Sequence, residues 1–134
     1  MSKQYRTREG EATAVDTKSQ LTTLGSEAAP GPLLVPSGVS KIVKLIVSAS
    51  ENMAAATSYS SFIRLEGAGL PGGPEVLAAN CGGCPVATGG NAATAPIEID
   101  LEIPVTPANE ILIFGEMCGT DVGQVNFGVT LVFE

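Results

Sequence analysis

Two runs of strict alternation dominate the chain. Ile97, Ile99, Leu101, Ile103 and Val105 alternate with Glu98, Asp100 and Glu102. Val125, Phe127, Val129, Leu131 and Phe133 repeat at the same period. A period of two is that of a strand with one buried face. Three further segments alternate with apolar residues on both faces. Ser40 to Ser50 sets Val43, Leu45, Val47 and Ala49 against Ile42, Lys44, Ile46 and Ser48. Tyr59 to Glu66 sets Tyr59, Ser61, Ile63 and Leu65 against Phe62, Arg64 and Glu66. Glu110 to Met117 sets Ile111 and Ile113 against Leu112 and Phe114.

Shorter pieces complete the pattern. Leu33 to Val35 reads as a brief strand ending at the turn Pro36-Ser37-Gly38, and Glu75 to Ala79 as a weak one. Val86 to Thr88 reads as an edge strand. The Ala-rich 51–57 stretch is a link or a single helical turn. Residues 67–74 and 89–95 are loops by their Gly and Pro content, and Thr106–Asn109 and Cys118–Asp121 are turns. Residues 1–30 are polar, with short strand candidates at 13–15 and 20–24. They are either an N-terminal arm lying on a neighbour or the first strand region, and 31–134 form the body of one domain. The sequence predicts an all-β fold, an antiparallel two-sheet β-sandwich of about eight strands. The strand count, long loops and strong C-terminal strand favour a jelly roll over an immunoglobulin-like sandwich, which usually offers a Trp.

Composition narrows the chemistry. The 134 residues include no His and no Trp. Without His, the commonest proton-transfer group and metal ligand is missing, as is every Ser-His or Cys-His arrangement. The sequence therefore predicts a protein that is not an enzyme and has no cofactor. Net charge is −7, but Lys3, Arg6, Arg8 and Lys18 all fall in the first 18 positions. The rest of the chain is strongly acidic and should repel nucleic acid and anionic membranes. No apolar run is long enough to span a membrane, and the start lacks the apolar core of a secretion signal.

Cys81-Gly-Gly-Cys84 has the spacing of a metal or redox pair. Completing a structural zinc site would need ligands beyond Cys118 and carboxylates, and the loop context is not that of a redox helix. A disulfide, within the loop or to Cys118, and plain loop thiols remain open. Glu98, Asp100 and Glu102 are the weak candidates for a metal such as Ca²⁺; they are equally an acidic stripe for a partner's cations, or a solvated outer face. Gly67-Ala-Gly69-Leu-Pro-Gly72 matches a nucleotide-loop spacing but lacks the helix that would give it meaning.

The early cations Lys3, Arg6 and Arg8, the sandwich body, the Ala/Gly/Thr/Pro-rich loops and the final strand Val125–Phe133 together resemble single jelly-roll coat, shell or decoration proteins of viruses. The resemblance implies a capsid or other structural subunit of a virion, made in a host cytoplasm, whose partners are copies of itself and possibly another shell protein. Nucleic-acid contact would be limited to the N-terminal arm, which is less basic than the arms of genome-packaging coats. Assembly-interface candidates are Lys3, Arg6, Arg8, Ile42, Ile46, Phe62, Leu112 and Phe114, the apolar ones because a second greasy face suits burial against another copy. On this reading a chain lacking residues 1–18 folds but assembles poorly. The alternative is a soluble β-sandwich module that binds a carbohydrate or a protein through its loops.

Overall fold

A computed structural model describes residues 2–14, 16–24, 27–28, 31–53, 59–71, 75–82, 90–93, 96–119 and 123–134. Among these residues there are twelve strands and no helix. They are β1 (Gln4–Ala12), β2 (Ser19–Gln20), β3 (Thr23–Leu24), β4 (Glu27–Ala28), β5 (Leu33–Leu34) and β6 (Lys41–Met53), then β7 (Tyr59–Glu66), β8 (Glu75–Gly82), β9 (Gly90–Ala93), β10 (Ile97–Pro104), β11 (Glu110–Gly119) and β12 (Gly123–Phe133). Eight of the twelve are four residues or longer. They form two antiparallel sheets, which is a β-sandwich.

The first sheet runs β10-β6-β12-β1-β3-β4, with β9 also on β6; the second runs β2-β11-β7-β8, with β5 also on β11. The pairings nest. β1 pairs β12, β2 and β5 pair β11, β6 pairs β10, and β7 pairs β8. The chain is thus one long antiparallel ribbon, folded at β7–β8 and wound so that its two ends meet at β1 and β12. Two further pairings, β12 with β6 and β11 with β7, close the ribbon sideways into two sheets.

The two alternating runs fill the interior. Val125, Phe127, Val129, Leu131 and Phe133 are all buried, and Ile97, Ile99, Leu101 and Ile103 pack half-buried against the same core. Ile63, Leu65, Ile111, Ile113 and Met117 supply the facing side from the second sheet. Aliphatic burial at about 25 cal/mol per Å² is the main favourable term in a core so poor in aromatics.

A β-bulge changes one expected face. Val132 sits opposite Lys44, but the next residue, Phe133, sits opposite Ile42. Val43 is therefore the extra residue of β6, and the alternation reverses across it. Ile42 is 0% exposed and belongs to the core with Leu45, Val47 and Ala49, while Lys44, Ile46 and Ser48 face outward. Ile42 is thus corrected from a surface candidate to a core residue.

Other boundaries moved as well. β6 continues through Met53 into the stretch read as a link, and Gly90–Ala93 is a strand on β6 rather than a loop. The Val86–Thr88 strand candidate lies outside the described residues. The turn at 106–109 holds Ala108 at φ 68°, with its N–H donating to Val35 O at 3.1 Å. An L-residue there costs about 1–2 kcal/mol, partly offset in glycine by its larger unfolded-state entropy. Ala108→Gly is expected to raise stability by up to about 1 kcal/mol, read as a higher urea midpoint; an unchanged or lower midpoint would show that the turn carries no such strain.

Candidate assembly surfaces

The outer face of the second sheet gathers three of the apolar candidates. Inward Ile63, Leu65, Ile111 and Ile113 force Phe62, Arg64, Leu112, Phe114 and Glu116 outward by alternation. Register places Phe62 opposite Glu116, Phe114 opposite Arg64 and Leu112 opposite Glu66. Each ring lies beneath a cation that is itself tied to a carboxylate. The Arg64 guanidinium lies 5.9 Å from the Phe62 centroid, and Arg64 Nε donates to Glu116 Oε1 at 2.8 Å. Lys18 Nζ lies 4.8 Å from the Phe114 centroid and 2.9 Å from Glu66 Oε2. Such cation–π contacts contribute about 0.5–1 kcal/mol where water reaches them. Phe62, Leu112 and Phe114 are half-buried, so the face is greasy beneath a net of ion pairs. The cations of this net escaped the sequence reading: Arg64 follows from alternation once β7 pairs β11, whereas Lys18 is brought over Phe114 by the segment leading into β2, which pairs the other side of β11.

The acidic stripe lies on β10, one edge of the first sheet, and points outward. Lys44 Nζ is 3.9 Å from Glu98 and 3.8 Å from Asp100, and Lys41 Nζ is 3.1 Å from Glu102. The three carboxylate side chains stay 62%, 91% and 76% exposed, in that order. Among the described residues no group of three potential ligands converges to hold a metal ion. Ile46 sits beside this stripe, opposite Glu98.

The early cations are placed by β1, which the sequence pattern did not reveal. Glu9 pairs with Thr23, and its carbonyl accepts from Thr23 Oγ1 at 2.8 Å, so it faces away from β12. Groups two residues apart on a strand share a side, so the carbonyls of Tyr5 and Thr7 face that way too. Arg6 Nη1 donates to Tyr5 O at 2.9 Å, and Arg8 Nη1 donates to Thr7 O at 2.8 Å. The arginines fold back over an edge that no described strand covers between Gln4 and Arg8. Arg8 Nε also donates to Gly31 O at 3.2 Å. Burial first, and the neighbouring Arg6 second, lower the Arg8 pKa from its usual value. Arg6, Arg8, Pro32, Leu33, Leu34 and Glu110 line a groove of about 310 Å³ beside this edge. Leu34 is 57% exposed there. Lys3 is elsewhere, in a surface hollow shared with Lys41, Asp100 and Glu102.

Cys118 pairs with Ser60 on one side of β7, and Gly82 pairs with Ser61 on the other. Cys81 and Cys118 are therefore two strand spacings apart, roughly 9–10 Å, beyond the ~7 Å Cα limit of a disulfide. Cys84 lies outside the described residues.

No family model matches the chain, and no curated protein matches it. Solved structures do. A structure of infectious bursal disease virus, Gx strain, has a TM-score of 0.44 at 16% identity, covering 96% of this chain and 32% of that one. A T13 particle of the same virus gives 0.38 at 14% identity, covering 98% of this chain and 35% of that one. Desmodium yellow mottle tymovirus gives 0.25 at 8% identity, covering 99% of this chain and 88% of that one. All three are virus structures. The chain spans about a third of the two bursal disease virus chains. No helix among the described residues is long and apolar enough to cross a membrane.

Proposed function

We propose that the chain is a single jelly-roll subunit of a virus or virus-like particle, a coat or decoration protein that acts by associating with copies of itself and not by catalysis. The observation that carries this reading is the nested pairing of β1 with β12, β2 and β5 with β11, β6 with β10, and β7 with β8. Eight strands wound as two Greek keys make a jelly roll. A fold alone does not fix a function, so the surface has to supply the rest. Here it supplies a half-buried apolar face at Phe62, Leu112 and Phe114, and edges at β10 and the start of β1 that no described strand covers. Its place is the virion, and the acidity of the body confines nucleic-acid contact to the first residues.

Negative-stain electron microscopy of the purified protein is expected to show shells, rings or filaments. Phe62→Ser combined with Phe114→Ser is expected to abolish them while leaving the far-UV spectrum and a cooperative melt intact. Wild-type assemblies that persist unchanged in this variant would remove the second-sheet face from the account.

One observation favours the binding-module alternative. A cleft of about 520 Å³ between β1 and the β2–β3 segment is lined by Glu9, Glu11, Gln20, Thr23 and Asn126, with Phe127 beside them, a set suited to hydroxyl-rich ligands. Glycan binding by a protein that stays monomeric, lost in Glu11→Gln with Asn126→Ala, would decide for that reading.

A further inference from the structure

We propose that the β1 edge of one copy receives the β10 edge of a second copy, with Arg6 and Arg8 facing Glu98, Asp100 and Glu102. This inference rests on the self-assembly reading above and names the surfaces that such assembly uses.

Four observations carry it. First, β10 is a terminal strand of the first sheet, and no described strand pairs with the free side of β1 from Gln4 to Arg8. Strand edges with unpaired N–H and C=O groups are templates for another strand, and proteins leave them open only when something guards or fills them. Second, the two edges differ in charge. Among the described residues Arg6 and Arg8 have no carboxylate within salt-bridge distance, although the chain holds twice as many acids as bases. The β10 edge has three exposed carboxylates, paired with Lys41 and Lys44, and Lys3 borders the hollow beside Asp100 and Glu102. Third, the charges share a period. Arg6 and Arg8 are two residues apart on one side of β1, and Glu98, Asp100 and Glu102 are two apart on one side of β10, so the spacings match at about 6.5–7 Å. Fourth, the groove beside Arg6 and Arg8 offers Pro32 and Leu34 as apolar contacts for the incoming edge, with Glu110 the one carboxylate in its lining.

The geometry sets the relation between copies. The acids point from the outer face of the sheet, whereas register puts Arg6 opposite buried Leu131 and Arg8 opposite buried Val129. The incoming sheet is therefore turned over relative to the receiving one, which also places the two sandwich bodies on opposite sides of the shared edge. The arginines release the Tyr5 and Thr7 carbonyls to the incoming strand's N–H groups and take carboxylates instead. Each copy keeps a free β1 edge or a free β10 edge, so the contact is heterologous and extends into a ring or a filament unless rotation closes it.

Charge reversal tests this in the full chain, with association read by sedimentation velocity at low salt. Arg6→Glu with Arg8→Glu is expected to weaken association at least roughly tenfold, as like charges meet at the contact. Glu98→Lys with Asp100→Lys is expected to weaken it by a similar factor. The second variant is decisive, because it makes the protein less negative overall; if only general repulsion limited association, it would associate more strongly. The fourfold variant carrying both reversals is expected to recover most of the wild-type association. Far-UV spectra and melts check that each variant folds; should the β1 pair fail to fold, the β10 pair alone, at positions 62% and 91% exposed, still tests the contact. Wild-type association that neither reversal changes, or that the β10 reversal strengthens, would overturn this pairing and leave self-assembly through another face standing. A wild-type chain that never associates would overturn both.

Discussion

Deleting residues 2–12 is expected to abolish cooperative folding, not to trim a dispensable arm. β1 pairs with β12 along its whole length, from Gln4 opposite Phe133 to Ala12 opposite Val125. Ala12 is 0% exposed and belongs to the core. Without β1, the strand that carries Val125, Phe127, Val129, Leu131 and Phe133 becomes an open edge, and five buried side chains lose cover from that side. Each lost backbone hydrogen bond costs about 0.5–1.5 kcal/mol, so a ladder of this length rivals the ~5–15 kcal/mol that holds a whole domain folded. The polarity of residues 1–18 led to the opposite expectation, a folded body with poor assembly. Circular dichroism during heating separates the two. A deletion variant that melts cooperatively with a strand-rich spectrum would show that the body stands without β1.

The second large effect is expected at the contact between the sheets. Phe127 is 3% exposed, and its ring lies against Gly115 of β11. A Cβ at position 115 would meet the ring's Cδ2 and Cε2 at 2.5 Å, so the close approach of the two sheets depends on glycine there. Phe127→Ala is expected to cost about 3–5 kcal/mol through lost burial and the cavity left behind. Gly115→Ala is expected to cost about 1–3 kcal/mol, because the added methyl forces the Phe127 ring out of its place in the core. Adding Phe127→Leu to Gly115→Ala should cost less than the sum of the separate changes, since the smaller side chain leaves room for the new methyl. Urea unfolding of the three variants gives the coupling directly. Additive costs would mean that Gly115 and Phe127 do not share this space.

The strands that were legible are those whose burial alternates. β7 begins and ends where the pattern placed it, and β10, β11 and β12 differ only by a residue or two at their ends. The faces of β10 and β12 follow from period two, because their alternating apolar residues mark the core side, whereas β7 and β11 carry apolar residues on both faces. β1 was illegible for the converse reason. Gln-Tyr-Arg-Thr-Arg-Glu-Gly-Glu-Ala buries one small residue fully, and it is a strand because β12 offers it a complete ladder of backbone partners. Ile42 was misplaced because adjacent Ile42 and Val43 are both apolar, so nothing in the pattern marks the bulge between the two halves of the alternation. On the candidate surfaces, Phe62, Leu112 and Phe114 were readable by parity. The role of Arg6 and Arg8 was not, since it depends on which side of β1 the carbonyls of Tyr5 and Thr7 face.

The proposed role requires this sandwich to associate with copies of itself. Size-exclusion chromatography with in-line light scattering, run over a range of concentrations in low salt, tests it most directly. The account expects species of several chain masses that dissociate as salt is raised. A single species of one chain's mass at every concentration would contradict it.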